Sequence, residues 1–390
     1  MKNNISKYIL IGFQILLFQS IYAQQDTLLL PSFFLKIDNL NFNKNNEYYN
    51  NIADGYTLIG TQIHPKIIYK PSLDIQLELG VFTLFYAGTE KYNKVIPTFS
   101  LDYNMGNIKM TAGTLHNESL HNLIAPLMTS ETILTERRLE NGSQMRYNSD
   151  KFNLDAWLNW ETFIFKGESK HEEIMIGLSA DYKLLDRNKW ELIIPLQNLF
   201  YHHGGQINTD FLIERNTFTM RHTALGVDIG YAFSEEKKLR FNSFYIDYQS
   251  TPNHDQYKFL KGIGILNELD FQYKHFKLGL GYWMGDKFVS PRGDDMFQSA
   301  SKKTDIHYID GVLQPFYSNH TEPKRTLFFG KLNYKNEILP DLFVSTELNV
   351  YYQNYSSNPT PNDVENEVKK RFDYSSFVKI KYSGLIKIKN

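Results

Sequence analysis

The chain has no cysteine, which removes any disulfide framework and any thiolate metal site. It also lacks an excess of either charge: 42 basic side chains stand against 43 acidic ones. That balance excludes the clustered basic surface that nucleic acid requires. Beyond its first residues the chain has no apolar run approaching the roughly 20 residues of a membrane-spanning helix. No HExxH or Cys/His zinc spacing occurs, and no GxSxG elbow, so neither a metal, a cofactor nor enzymatic activity is expected.

What remains is rich in aromatics, 26 Tyr and 28 Phe in 390 residues. Lys2, Lys7, the short apolar run Tyr8–Tyr22 and Ala23 have the layout of a secretory signal peptide over residues 1–23. Residues 24–390 then carry a period of two from end to end. In Phe152–Phe165 (FNLDAWLNWETFIF) one set of alternate residues is apolar, while the other holds Asn153, Asp155, Asn159 and Glu161. Leu225, Val227, Ile229 and Tyr231 alternate with Gly226, Asp228 and Gly230, and Val378, Ile380 and Tyr382 with Lys379 and Lys381. A strand sends such sets to opposite faces. About sixteen strands of this kind are expected.

Tight turns such as Asn104–Asn107 and Asp186–Asn188 alternate with long polar connections at 43–55, 116–141, 203–221, 287–323 and 355–371. That rhythm is the one of membrane barrels, short on the periplasmic side and long outside. Charged second faces on so many strands also rule out a dry interior. The reading is all-β: a single transmembrane antiparallel up-and-down β-barrel. This whole-chain pattern resembles the porin-like outer-membrane barrels of Gram-negative bacteria, and the Asn-, Lys- and Tyr-rich composition resembles exported proteins of the Bacteroidota.

The resemblance implies an outer-membrane channel passing small hydrophilic solutes. Alternatives are a barrel-type accessory factor in secretion or surface-protein assembly, and a FadL-like transporter of hydrophobic molecules. The expected partners are membrane lipid and small hydrophilic solutes; a homo-oligomer is compatible with the pattern.

The connection Leu115–Gly142 is unusually apolar for an outer loop. It reads as an inward-folded segment, as the third loop of general porins is. Glu118, His121, Glu131, Glu136, Arg137 and Arg138 would then line a constriction. Lumen charges are expected as a basic arc, Lys379, Lys381, Lys331 and Arg325, facing an acidic arc, Asp155, Glu161, Glu173 and Asp181. His202-His203 point to opposite faces and read as a strand end, not a metal site. Arg292-Gly293-Asp294-Asp295 reads as a solvated loop tip.

Overall fold

In the computed structural model the described residues run from 30 to 389, apart from 117–118, 130–138, 166–167, 169–170, 205–216, 252–257, 302, 310–311, 318–319 and 354–371. The strands are β1 (Ser32–Glu47), β2 (Tyr56–Lys70), β3 (Ile75–Tyr86), β4 (Lys94–Met105), β5 (Ile108–Thr114) and β6 (Asn141–Asn148). They continue with β7 (Phe152–Thr162), β8 (Glu172–Arg187), β9 (Trp190–Gly204), β10 (Phe218–Ala232), β11 (Lys237–Ser250) and β12 (Lys261–Tyr273). The last are β13 (Phe276–Asp286), β14 (Thr304–Ile309), β15 (Val312–Tyr317), β16 (Lys324–Leu339), β17 (Leu342–Gln353) and β18 (Phe372–Lys389).

Sixteen of these form one closed antiparallel barrel, β1 sealing against β18, while β14 and β15 pair as a separate hairpin. The expected ring of sixteen is therefore present. The hairpin escaped the sequence reading because it lies within a connection that looked merely polar. Closure of β1 on β18 leaves the sheet without a terminal edge strand, the condition for crossing hydrocarbon in strands.

Four of the seven short connections are two-residue turns, and the others have three or four residues. Met105 pairs with Ile108 around Gly106-Asn107, and Gly106 has φ +58°, the left-handed geometry such hairpins need. Arg187 pairs with Trp190 around Asn188 and Lys189, both at positive φ.

The outward face holds an apolar band between aromatic girdles. At the short-turn rim Trp190 meets Tyr231 with ring centroids 4.7 Å apart, and Phe276 meets Tyr334 at 5.0 Å. At the long-loop rim Tyr282 meets Phe328 at 5.1 Å, and Tyr352 meets Phe372 at 5.4 Å. Leu225, Val227, Ile229, Leu278 and Leu280 lie exposed between the rims. Solvent-exposed leucine is costly, and rings at both edges mark a membrane interface.

The inward face divides into two halves. Near the short turns it is a belt of charge paired across neighbouring strands: Asp228–Arg240 at 2.6 Å, Asp270–Lys277 at 2.9 Å and Asp102–Lys109 at 2.9 Å. Lys66 joins Asp38 at 3.2 Å and Glu78 at 3.3 Å. Near the long loops the interior is apolar and filled. Trp157, Met175, Leu199, Met220, Ile246, Tyr248, Trp283, Leu327 and Tyr351 line it from the wall, all buried. Leu123, Leu127 and Met128 from one loop and Phe288, Val289, Met296 and Phe297 from another complete the same cluster.

Two strands are conspicuously short. β5 has 7 residues and β6 has 8, against the 9–11 a tilted strand needs to cross a bilayer. Pairing of β4 with β5 stops at Ser100–Gly113. Above that point Lys94–Phe99 pairs with β3 alone among the described residues. The wall therefore has a notch in its outer rim. At its foot Gly113 has φ +99°, and a Cβ there would run into the carbonyl oxygen of Phe99. Only glycine suits both demands.

Candidate functional site behind the shortest strands

The segment after β5 turns inward at once. Arg146 donates to the carbonyl of His116, and the His116 N–H donates to Gln144 Oε1 at 3.1 Å. A 3-10 turn over Leu120–Asn122 follows, in which all three residues have positive φ. Backbone strain of this kind persists only where surroundings over-determine it. Here Gln197 supplies both partners, accepting from Ile124 N–H at 3.0 Å and donating to Asn122 O at 3.0 Å.

His121 is what the turn positions. Its Nε2 lies 2.7 Å from Glu140 Oε2 and its Nδ1 2.9 Å from Asp155 Oδ2. The ring stacks on Trp157, centroids 3.7 Å apart and planes 5° from parallel. The side chain is fully buried. Burial alone would lower its pKa, but hydrogen bonds to Asp155 and Glu140, together with their charges, outweigh that and raise it. The ring is thus held as an imidazolium between two carboxylates, and Gln144 Nε2 donates to Asp155 as well, at 2.8 Å.

Beside it stands a second histidine–carboxylate pair. His116 Nε2 is 3.0 Å from Asp102 Oδ1, and Asp102 accepts from Thr111 Oγ1 at 2.6 Å. Lys109 Nζ reaches the same carboxylate at 2.9 Å. His116 lies two residues past the end of β5 and keeps 15% of its side chain exposed. The two histidines differ in kind: His121 is locked on both nitrogens, whereas His116 is a ring oriented by Asp102 on the inner wall below the notch.

The facing loop closes the interior from the other side. Asp294 N–H donates to Ala125 O at 2.9 Å and Thr129 N–H to Arg292 O at 2.9 Å. Arg292 Nε donates to Glu161 Oε1 at 2.9 Å, and the ion pair is largely buried. The expectation of a solvated tip at Arg292–Asp295 is corrected here. The flanking Phe288, Val289, Met296 and Phe297 are apolar, and burying them carries the intervening charges inward.

Of the expected constriction residues, Glu118, Glu131, Glu136, Arg137 and Arg138 lie outside the described residues. Among the expected lumen charges the opposed arcs are replaced by local pairs. Lys331 Nζ contacts Glu268 at 2.5 Å, and Lys379 pairs with Glu347. Arg325 is buried against Glu322 at 2.8 Å and Met296 O at 3.0 Å, within the apolar half. Lys381 is exposed near the short turns. Asp155 belongs to His121, and Glu161 to Arg292. Glu173 accepts from Tyr201 Oη at 2.9 Å. Asp181 faces inward on β8, between Asn153 and Pro195 of its neighbours. Pairing across adjacent strands wins because direct neighbours are about 5 Å apart, far closer than opposite walls.

His116 and Asp102 were missed as a pair. Asp102 sits on the inward parity of β4, so the signal was present; the loop's return onto that strand was not.

Comparison with known proteins bears on both fold and chemistry. OmpT of Vibrio cholerae, an outer-membrane protein in trimer form, superposes with a TM-score of 0.51 at 9% identity, covering 90% of this chain and 100% of that one. OprD of Pseudomonas aeruginosa matches at a TM-score of 0.49 and 10% identity, covering 93% and 96%. The likeness to OmpT, together with the closed sixteen-stranded ring, shows the fold of a Gram-negative outer-membrane barrel. A search of curated proteins returns no match. A family described as lipid A 3'-O-deacylase-type matches residues 26–390. Because that is a family of enzymes, the expectation of a non-enzymatic protein is overturned; the absence of a GxSxG elbow excluded one hydrolase architecture, not hydrolysis. Its match spans the whole described barrel, and the chain accordingly belongs to the lipid A 3'-O-deacylase-type family.

Proposed function

We propose that the protein is an outer-membrane hydrolase that removes an ester-linked acyl chain from a lipid A-type glycolipid. The observation carrying this reading is the His116–Asp102 pair on the inner face of the barrel, two residues below the point where the β4–β5 wall ends. The notch above the pair opens this inner face toward a lipid of the outer leaflet. In this scheme His116 takes a proton from water as the water attacks the ester carbonyl, and returns it to the departing sugar oxygen. Asp102 orients the imidazole and stabilises its charged form. Lys109 and Arg146, both at the pair, offer positive charge to the oxyanion. His121, held on both nitrogens, anchors the loop.

The test is acyl release from purified lipid A in detergent, followed by mass spectrometry. His116→Ala should lower kcat by about 10²–10⁴-fold, the worth of a general base, while the barrel keeps its heat-modifiable gel mobility. Unchanged release by that variant, or none by the native protein, refutes the reading.

A second reading, the passive channel for hydrophilic solutes, is supported by the charged belt on the inner wall. Against it stands the apolar packing of the outer half. Planar-bilayer conductance decides: a steady open current in the native protein favours the channel.

A further inference from the structure

The outward wall carries a feature that neither hydrolysis nor conduction uses. A groove of about 740 Å³ runs across β4–β9 on the lipid-facing side, within the size range of ligand sites. Its floor is made of small outward side chains, Ala112, Ser143 and Ala156, and its walls include Tyr103, Leu158 and Phe200. Ser143 is exposed in this floor, and its hydroxyl has no hydrogen-bond partner among the described residues.

The strand register carries the groove into a polar patch. Ala156 pairs with Leu178, Leu178 with Asn198, Asn198 with Thr223, and Thr223 with Asp247. At about 4.8 Å per strand, Asp247 lies about 19 Å from Ala156. Thr223 Oγ1 donates to Asn198 Oδ1 at 3.0 Å. Arg221 Nη2 and Gln249 Nε2 donate to Asp247 Oδ2 at 3.3 and 3.0 Å. Alternation places all of these outward, on the side facing lipid.

Their height is fixed by β10. From the girdle residue Tyr231 the outward positions are Ile229, Val227 and Leu225, then Thr223, Arg221 and Thr219. Nine residues separate Tyr231 and Thr223 inclusive, about one bilayer crossing. The patch therefore lies at the outer headgroup level. Elsewhere that rim carries aromatic pairs, and a charged side chain on the lipid face is costly in proportion to its depth.

We propose that this wall is a binding site for a glycolipid, one acyl chain lying in the groove and its sugar headgroup resting on the Asn198–Arg221–Asp247 patch. The patch mixes donors and acceptors at near-zero charge, which suits hydroxyl groups. The carboxylate of Asp247 disfavours a phosphate. The groove lies on the outer face of the wall whose inner face carries the His116 pair, its polar patch on β9–β11 is at least four strands from β5, and the proposal does not depend on the hydrolase reading.

Native mass spectrometry from an amine-oxide detergent tests it, with a distearoyl glucosyl-glycerol lipid and distearoyl phosphatidylglycerol as probes. The native protein should retain one glucolipid at concentrations where the phospholipid is not retained. Ala156→Phe, which fills the groove, should weaken glucolipid retention at least tenfold; Leu278→Phe, on the far wall, should not. Equal retention of the two lipids, or unchanged retention by A156F, overturns the proposal. Heat-modifiable mobility verifies folding, and if A156F fails to fold, Asn198→Leu carries the same expectation.

Discussion

Replacing His121 with alanine should free the inward loop without unfolding the barrel. The substitution removes the stacking partner of Trp157 and leaves Glu140 and Asp155 facing each other across an emptied, buried space. Removing one partner from a buried ion pair typically costs about 3–5 kcal/mol. At 1.4 kcal/mol per tenfold, the loop's closed-to-open ratio falls by roughly two to three and a half orders of magnitude. The barrel should tolerate this, because its cross-strand hydrogen bonds involve none of the loop's contacts. In planar bilayers the native protein should be silent or nearly so, and H121A should show brief openings as the stopper detaches. Heat-modifiability should remain. If H121A is as silent as the native protein and melts identically, His121 is not the anchor described.

Three other outcomes follow from the same geometry. Because the folded-state pKa of His121 is raised, its contribution to loop anchoring is complete below the ordinary histidine value and is lost as pH rises through the folded one. Trp157 fluorescence, taken as the difference between native protein and Trp157→Phe, should therefore change at a pH above the ordinary histidine value; a transition at or below that value, or a flat profile, refutes the imidazolium assignment. Phe297→Ala empties part of the stopper and should destabilise it by about 3–5 kcal/mol, seen as conductance; a silent bilayer counts against the packing described. Gly113→Ala should cost at least 1–3 kcal/mol through its backbone conformation and lower the thermal midpoint of the barrel, whereas an unchanged midpoint contradicts the close approach to Phe99.

The barrel was legible in the sequence because membrane strands repeat one simple rule, apolar outward and polar inward, some sixteen times. Strand parity also separated His202 from His203 correctly: His202 contacts Thr219 at 2.9 Å on one face, while His203 approaches Glu173 at 3.6 Å on the other. The rule fails near the long loops. There Trp157, Met220 and Trp283 occupy the inward positions where the rule expects polar residues, because they are the walls of a packed interior. The loop that meets them, Phe288–Phe297, was read as outer because its charges are conspicuous and its four buried apolar residues are spaced without period. The His116–Asp102 pair joins residues 14 apart across a turn and a loop, and no local pattern announces such a contact.

The stopper draws on three stretches remote in sequence, around Tyr48–Ala53, Leu115–Met128 and Phe288–Ala300, inside a ring whose seam is the first strand against the last. The wall they lean on comes from β7–β13, β16 and β17, and only the β1–β18 seam closes it into a tube. A chain cut before residue 372 would keep every wall residue of that greasy middle yet lose the ribbon that seals the tube around it.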